Sequence, residues 1–164
     1  PYSIPVDETL RFQQVNWDSL SQLELNAFKN ASSNNTSGVE NEYYDTWIRG
    51  KALKKINNIP LEANTEYQDS LMLMDLLHHY NVNAYFIIQG LNPYAFEAPE
   101  KLDPTIDALE KEIARRDYKC FNMFTSSQSA YVKGTLNDIM HTGEYGWLKI
   151  DSAIVHHYFK PYTK

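Results

Sequence analysis

The chain contains a single cysteine, Cys120, and this scarcity limits the frameworks that could stabilise it. One thiol cannot form an intrachain disulfide, and it cannot supply the cysteine set of a structural zinc module. Glycine is also scarce: there are six, and none belongs to a GxGxxG or a GxxxxGK[ST] phosphate-binding loop. The sequence therefore gives no support for a disulfide-rich, zinc-finger, dinucleotide-binding or P-loop protein.

Long apolar runs are missing as well. The longest, around residues 71–77, is interrupted by Asp75 and is far shorter than the roughly 20 residues that span a bilayer. No signal peptide is recognisable at the start. The chain begins at Pro1 without an initiator methionine, so it could be a processed product or a fragment.

Positive charge is in the minority. The chain has 15 Lys and Arg against 21 Asp and Glu, which gives a formal net charge of −6. Basic residues cluster no further than Lys54 beside Lys55 and Arg115 beside Arg116. Because binding to a phosphate backbone relies on clustered basic residues, nucleic acid is not predicted as a partner.

The composition nevertheless predicts a folded protein. Of the 164 residues, 43% are hydrophobic and 13% are aromatic, which is enough to build a packed core. That length fits one domain, so residues 1–164 are interpreted as a single α/β domain or the C-terminal part of one. Residues 1–15 are interpreted as an extended lead-in segment.

Hydrophobic spacing predicts helices alternating with strands. The predicted helices are one from Asn16 to a polar loop over 30–38, one over 45–56, a buried one that opens with a capping box at Thr65 and Gln68, one from Asp103, and one over 146–159. The predicted strands cover 83–89, expected to be central and covered on both faces, and 118–124. This alternation is typical of a parallel α/β layer, in which functional groups gather beyond the carboxyl ends of strands. The loops after Gln89 and Phe124 are therefore where a site is expected.

Asp138 and His141 form a D-x-x-H pair downstream of the second of these loops. An offset of three residues on a turn brings two side chains to the same side, so the carboxylate could orient the imidazole. The other ring nitrogen would then be free to act as a general base. The spacing is common by chance, and a structural role remains open, with Asp138 as a cap and His141 as partly exposed packing.

The residues themselves nominate no nucleophile and no metal site. Ser126, Ser127 and Ser129 are nearest in sequence to the pair, but none lies in a G-x-S-x-G elbow. The adjacent histidines at 78–79 and 156–157 point about 100° apart on a helix, so they are poorly placed to hold one metal ion. No metal and no cofactor are predicted.

Four segments, in order, resemble the DltD family of D-alanyl-lipoteichoic acid biosynthesis proteins of Gram-positive bacteria. The strongest is DIMHTGEYGW at 138–147, followed by Asp151 and Ile154, which is similar to the family's C-terminal D-T-x-H-L-G-W-K-G-W…D-x-A-I signature. The other three are SNN at 33–35 with Gly38 and the tyrosines at 43–44, EYQD at 66–69, and FIIQGLN at 86–92 before Tyr94. Together the four cover roughly residues 17–158.

The resemblance implies a parallel-sheet, SGNH-hydrolase-like three-layer fold, of which this chain would be a C-terminal part. It implies acyl transfer of D-alanine, as an ester, onto teichoic acid at the outer face of the membrane. Asp138 matches the triad acid and His141 the triad base. The family's serine lies in an N-terminal block beside a membrane anchor, so this chain alone is expected to be inactive.

Further expectations concern the ligands and partners. Asn92, Tyr94 and Trp147 are predicted to bind substrate, with Asn92 and Tyr94 lining the acyl or glycerol-phosphate pocket at a strand end. The implied partners are teichoic acid polymer and a D-alanyl carrier protein or membrane acyltransferase. Two alternatives stay open: a generic SGNH-type serine esterase acting on O-acylated cell-wall glycan, and a noncatalytic docking module for the carrier protein or the membrane acyltransferase.

Overall fold

A computed structural model describes residues 35–57 and 59–158, together with four isolated helical residues, Ser19, Gln22, Leu23 and Asn26. The predicted lead-in over 1–15 lies outside the described residues. So does most of the helix predicted from Asn16.

The described chain contains four α-helices and four short strands. In sequence they are α1 (Asn41–Tyr43), which continues as a π-helix over Tyr44–Ile48, β1 (Lys54–Lys55), a 3-10 turn (Leu61–Ala63), α2 (Thr65–His79), β2 (Tyr85–Ile88), β3 (Phe96–Glu97), a 3-10 turn (Pro99–Leu102), α3 (Asp103–Arg115), β4 (Lys119–Asn122) and α4 (Glu144–Tyr158). The predictions of a helix from Asp103, of strands near 83–89 and 118–124, and of the last helix are confirmed.

Both strand pairs are parallel. β2 pairs with β4 in a register that runs from Tyr85 opposite Lys119 to Ile88 opposite Asn122. β1 pairs with β3, with Lys54 opposite Phe96. Parallel pairing across helical connections is the pattern of a mixed α/β protein, as the alternation of elements predicted. The full three-layer arrangement stays a prediction.

The helix predicted over 45–56 is wrong in its position. Helical structure runs from Asn41 to Ile48, and Gly50 then turns the chain with a φ of +69° before the strand at Lys54–Lys55. A positive φ suits glycine because a Cβ makes that conformation costly. The glycine therefore ends the helical segment well before Ile56.

The helix predicted to be buried is present as α2, but the prediction of burial is wrong. Its Met74 is buried, whereas Met72, Leu73 and Leu76 are each at least half exposed. Within the described chain α2 packs against α3, and a helix with its neighbours on one side buries one stripe only. The cap is also displaced by one residue, because the Asn64 side chain accepts the hydrogen bond from the Tyr67 N–H at 3.0 Å.

The expectation of a central strand covered on both faces is not met by β2 in the described residues. β2 pairs there with β4 alone, and all four of its residues are half-buried. In the described residues β2 has one neighbouring strand. Its continuous apolar sequence therefore indicates partial burial but not a central position in a sheet.

The best-packed part of the described chain is a cluster of loops. The described chain has seven buried apolar residues, and four of them lie in loops: Val39, Ala95, Leu136 and Ile139. Leu136 and Ile139 belong to the turn that carries Asp138 and His141, and Val39 and Ala95 come from segments distant from it in sequence. Four of the seven buried apolar residues in the described chain therefore lie in or beside the candidate site.

Candidate active site

Residues 136–142 form a tight turn ahead of α4. Leu136 and Thr142 make an antiparallel bridge, and inside it the Asn137 N–H donates to the His141 carbonyl at 2.9 Å. The side chain of Leu136 is fully buried and anchors the turn. The backbone conformation of Asp138 and His141 is thus fixed from both sides.

Two glycines let α4 approach this turn closely. A Cβ on Gly143 would lie 2.7 Å from the Gly134 carbonyl oxygen, and one on Gly146 would lie 2.3 Å from the Thr135 carbonyl oxygen. Both distances are shorter than any real contact of a Cβ, so the backbone can come this near only where side chains are absent. The sequence TGEYG therefore reflects packing of the first turn of α4 against the site.

Asp138 accepts three hydrogen bonds. Its Oδ1 accepts from the backbone N–H groups of Met140 at 2.8 Å and His141 at 2.7 Å, and its Oδ2 lies 2.6 Å from Nδ1 of the His141 ring. Partial burial disfavours the charged carboxylate, but the hydrogen bonds from the two backbone N–H groups and from the imidazole outweigh it, so the pKa of Asp138 is lowered. The side chain remains a carboxylate at neutral pH.

The imidazole of His141 faces solvent, with 76% of its side chain exposed. Because Nδ1 faces the carboxylate, Nε2 on the far edge of the ring is the nitrogen that could accept a proton from a substrate or nucleophile. The structure therefore brings together the two side chains that the spacing had paired. What it shows is an exposed imidazole whose Nδ1 lies against the carboxylate of Asp138.

The loop after β2 anchors the turn directly. The Gln89 side-chain amide donates to the Met140 carbonyl, and the Asn92 N–H donates to the Ile139 carbonyl at 2.9 Å. The sequence reasoning that pointed to the loop after Gln89 thus found the segment that contacts the site. It missed Gln89 itself as an anchor, because a glutamine at the end of a strand has no local signature.

Asn92 is fully buried, and its side chain joins two other segments. Its Nδ2 donates to the Ser37 carbonyl at 2.8 Å, and its Oδ1 accepts from the Tyr94 N–H at 3.0 Å. Together with the backbone bond to Ile139, these contacts tie residues 37, 92–94 and 139 into one unit. Asn92 thus holds these loops together around the turn, and the substrate-binding role predicted for it stays a prediction.

Replacing Asn92 by alanine is expected to lower the free energy of unfolding by about 1–3 kcal/mol, because a buried carbonyl and a backbone N–H lose their partners. Denaturant unfolding of the variant measures the loss. Asn57→Ala, at an exposed loop position, is the control and should leave stability unchanged. Equal stability of Asn92→Ala and the parent protein would show that these bonds do not hold the loops together.

The other two predicted binding residues lie at the surface around the turn. Tyr94 is half-buried and donates its hydroxyl to the Gln128 carbonyl at 3.2 Å, which joins the loops after β2 and β4. Trp147 lies in the first turn of α4 with a relative exposure of 56%. Both are accessible, and the roles predicted for them remain predictions.

Tyr43 is a neighbour of the pair that sequence reasoning did not propose. Burial, and after it the negative charge of Asp138, raise the pKa of this tyrosine. The Glu40 N–H, just before α1, donates to the Asn137 carbonyl at 3.1 Å and holds this helical segment against the turn. These contacts span almost 100 residues of sequence, so no local pattern could signal them.

The serines after β4 have other partners. The Ser126 hydroxyl donates to Asp103 at 3.0 Å, and the hydroxyls of Ser127 and Ser129 lie 2.9 Å apart. Within the described chain no cluster of three or more His, Cys, Asp or Glu side chains could hold a metal ion. A groove of about 600 Å³ between α4 and the β2–β4 pair is lined by neither Asp138 nor His141.

The fold is that of a mixed α/β protein with parallel strand pairs. Its candidate site is an aspartate–histidine dyad in a turn that contacts the loop after β2. The sequence model of one family, described as DltD protein, matches residues 3–159. The chain belongs to the DltD family, as the resemblance of its motifs had indicated. No curated protein and no solved structure matches it.

Membership of the family carries a general function. DltD proteins are cell-envelope proteins that are involved in the D-alanylation of teichoic acids, and the family suggests a role in D-alanine transfer. Among the described helices, none is both long and apolar enough to cross a membrane.

Proposed function

We propose that this chain supplies the acid–base pair of an acyltransferase that moves D-alanine, as an ester, onto teichoic acid. His141 acts as the general base through Nε2, and Asp138 orients the ring and stabilises its protonated form. The observation that carries the proposal is the 2.6 Å contact between Asp138 Oδ2 and His141 Nδ1, with the imidazole open to solvent.

The chemistry takes place in two halves. His141 removes the proton from a serine hydroxyl as its oxygen attacks the activated D-alanyl carbonyl, and the proton then passes to the leaving group as the donor bond breaks. In the second half His141 removes the proton from a polyol hydroxyl as its oxygen attacks the acyl-serine carbonyl, and returns that proton to the serine oxygen as the acyl-serine bond breaks and the new ester forms. The resemblance to the family implies that the serine nucleophile comes from a segment outside this chain. Of the serines after β4, Ser126 donates its hydroxyl to Asp103, and the hydroxyls of Ser127 and Ser129 lie against each other.

Partners and location follow from the same proposal. The acyl group arrives from a D-alanyl carrier protein or a membrane acyltransferase, and the acceptor is teichoic acid at the outer face of the cytoplasmic membrane. An N-terminal anchor outside this chain holds the protein there. Asn92 shapes the pocket by fixing its loops, while Tyr94 and Trp147 provide accessible surface beside the pair.

A comparison of substrates tests this function against the esterase alternative. The full-length protein is expected to release or transfer D-alanine from a D-alanyl polyol phosphate ester and to leave acetylated cell-wall glycan intact. Product formation is followed by mass spectrometry, with His141→Ala as the blank. Hydrolysis of acetylated glycan without any turnover of D-alanyl esters would overturn the proposal in favour of a generic esterase.

A further inference from the structure

A small cavity of about 90 Å³ lies against the turn that carries Asp138 and His141. Ile139, between the aspartate and Met140 in that turn, forms part of its wall, and Ala95 from the loop after β2 forms another part. Both residues are buried, and both belong to the network around Asn92, whose N–H bonds to Ile139 and whose carbonyl accepts from Ala95. The cavity and the pair are therefore built on one scaffold.

Positive charge is concentrated in the lining of this cavity. Lys51 and Lys54 line it, and no carboxylate does. Within the described chain neither lysine belongs to an ion pair, while Asp45, the nearest acidic residue along this segment, is paired with Arg49 at 2.8 Å. In a chain of net charge −6, these two lysines place positive charge in the lining of the cavity, close to the carboxylate of Asp138.

Backbone hydrogen bonds fix the main-chain positions of these two lysines. The Lys51 N–H donates to the Ile48 carbonyl at 3.0 Å, and the Lys54 N–H donates to the Ala95 carbonyl at 2.9 Å where β1 pairs with β3. Because successive residues of a strand point to opposite faces, Lys54 lines the cavity and the adjacent Lys55 does not. The chain thus contains its own matched control.

Two aromatic side chains also line the cavity, and the remaining lining residues are apolar: Ile48, Ala52 and Leu53. Tyr43 is half-buried, and Trp47 has a relative exposure of 65%. Both belong to the helical segment that widens into a π-helix over Tyr44–Ile48, a deviation often found at functional sites. Aromatic faces beside ammonium groups suit a ligand that combines a carbon chain or polyol with an anionic group.

From these observations we infer that the cavity formed by Tyr43, Trp47, Lys51, Lys54, Ala95 and Ile139 binds a phosphodiester of the acceptor polymer. The inference rests on the proposed function, and it deepens that function by naming where the acceptor is held. Lys51 and Lys54 bind the phosphate oxygens, and Trp47 covers the polyol. A hydroxyl next along the polymer is then presented towards His141.

Nuclear magnetic resonance of the protein titrated with bis-glycerol phosphate tests the binding site. We expect the Trp47 indole and the Lys54 and Ile139 amides to shift, and uncharged glycerol to cause no shift. Lys51→Gln and Lys54→Gln are each expected to weaken binding about fivefold, as loss of one exposed charge contact implies. Lys55→Gln should bind normally.

Equal weakening by Lys54→Gln and Lys55→Gln would overturn the inference, because it would show nonspecific attraction by surface charge. Shifts that avoid the cavity residues would also overturn it. The same titration with inorganic phosphate tests the polyol contact. If inorganic phosphate binds as tightly as bis-glycerol phosphate, Trp47 does not contact the polyol.

A transfer assay separates this inference from the proposed function. Lys51→Gln and Lys54→Gln are expected to raise the KM for the acceptor about fivefold each, with kcat retained, since they remove binding and leave the chemistry in place. His141→Ala should lower kcat by about 10²–10⁴-fold. Normal turnover by His141→Ala would refute the proposed function, whereas an unchanged acceptor KM in both lysine variants would refute only the cavity assignment.

Discussion

Replacing His141 by alanine is expected to lower the rate of D-alanyl transfer by about 10²–10⁴-fold, the usual contribution of a general base. The imidazole makes no packing contact that the fold needs, because 76% of its side chain is exposed. The free energy of unfolding should therefore remain close to that of the parent protein. The D-alanyl ester content of teichoic acid in cells that carry the substitution measures the loss.

The control for this substitution is His79→Ala. His79 is likewise exposed but lies at the end of α2, on a different element from the site turn. Its removal should leave ester content at the normal level. If His141→Ala also left it at the normal level, with protein abundance matched, the catalytic account would be wrong and the docking-module alternative would gain.

The second large effect is expected at Asp138. In Asp138→Asn the oxygen that accepts the two backbone N–H bonds can stay in place, so the new amide nitrogen faces Nδ1 of His141. An N–H donor at that point favours the tautomer that carries its proton on Nε2, which can no longer act as a base. We expect transfer to fall by roughly 10²–10³-fold, less than the ~10⁴-fold loss seen with a fully buried triad aspartate.

The matched control is Asp107→Asn, which makes the same change of charge at an exposed position on α3. Its transfer rate should equal that of the parent protein. Nitrogen-15 shifts of the His141 ring report the tautomer directly in the Asp138→Asn protein. A normal rate together with an unchanged tautomer would show that Asp138 acts as a turn residue only.

Local sequence patterns were sufficient to predict the elements whose structure depends on residues close in sequence. Asp103 followed by proline, the apolar run of β2 and the helical spacing after Gly146 each depend on neighbours within a few residues, and each was predicted near its observed place. The D-x-x-H pair belongs to the same group. Its geometry is fixed within four residues by an aspartate that accepts the N–H bonds of its own turn.

What could not be predicted depends on contacts between distant segments. The π-helix over Tyr44–Ile48 and the exposure of α2 depend on which elements pack against them. Asn92 could be nominated from its position after a strand, but its bonds to Ser37 and Ile139 join residues 47 or more positions apart. The cavity beside the pair combines side chains from five separate loops or elements for the same reason.

The most direct test of the account is the transfer rate of the double variant His141→Ala/Asp138→Asn beside the two single variants. If the aspartate acts by orienting the histidine, the second substitution removes nothing further, and the double variant should equal His141→Ala alone within error. If the two substitutions act independently, the transfer rate of the double variant falls below that of His141→Ala by the full factor measured for Asp138→Asn. That result would contradict an acid–base pair.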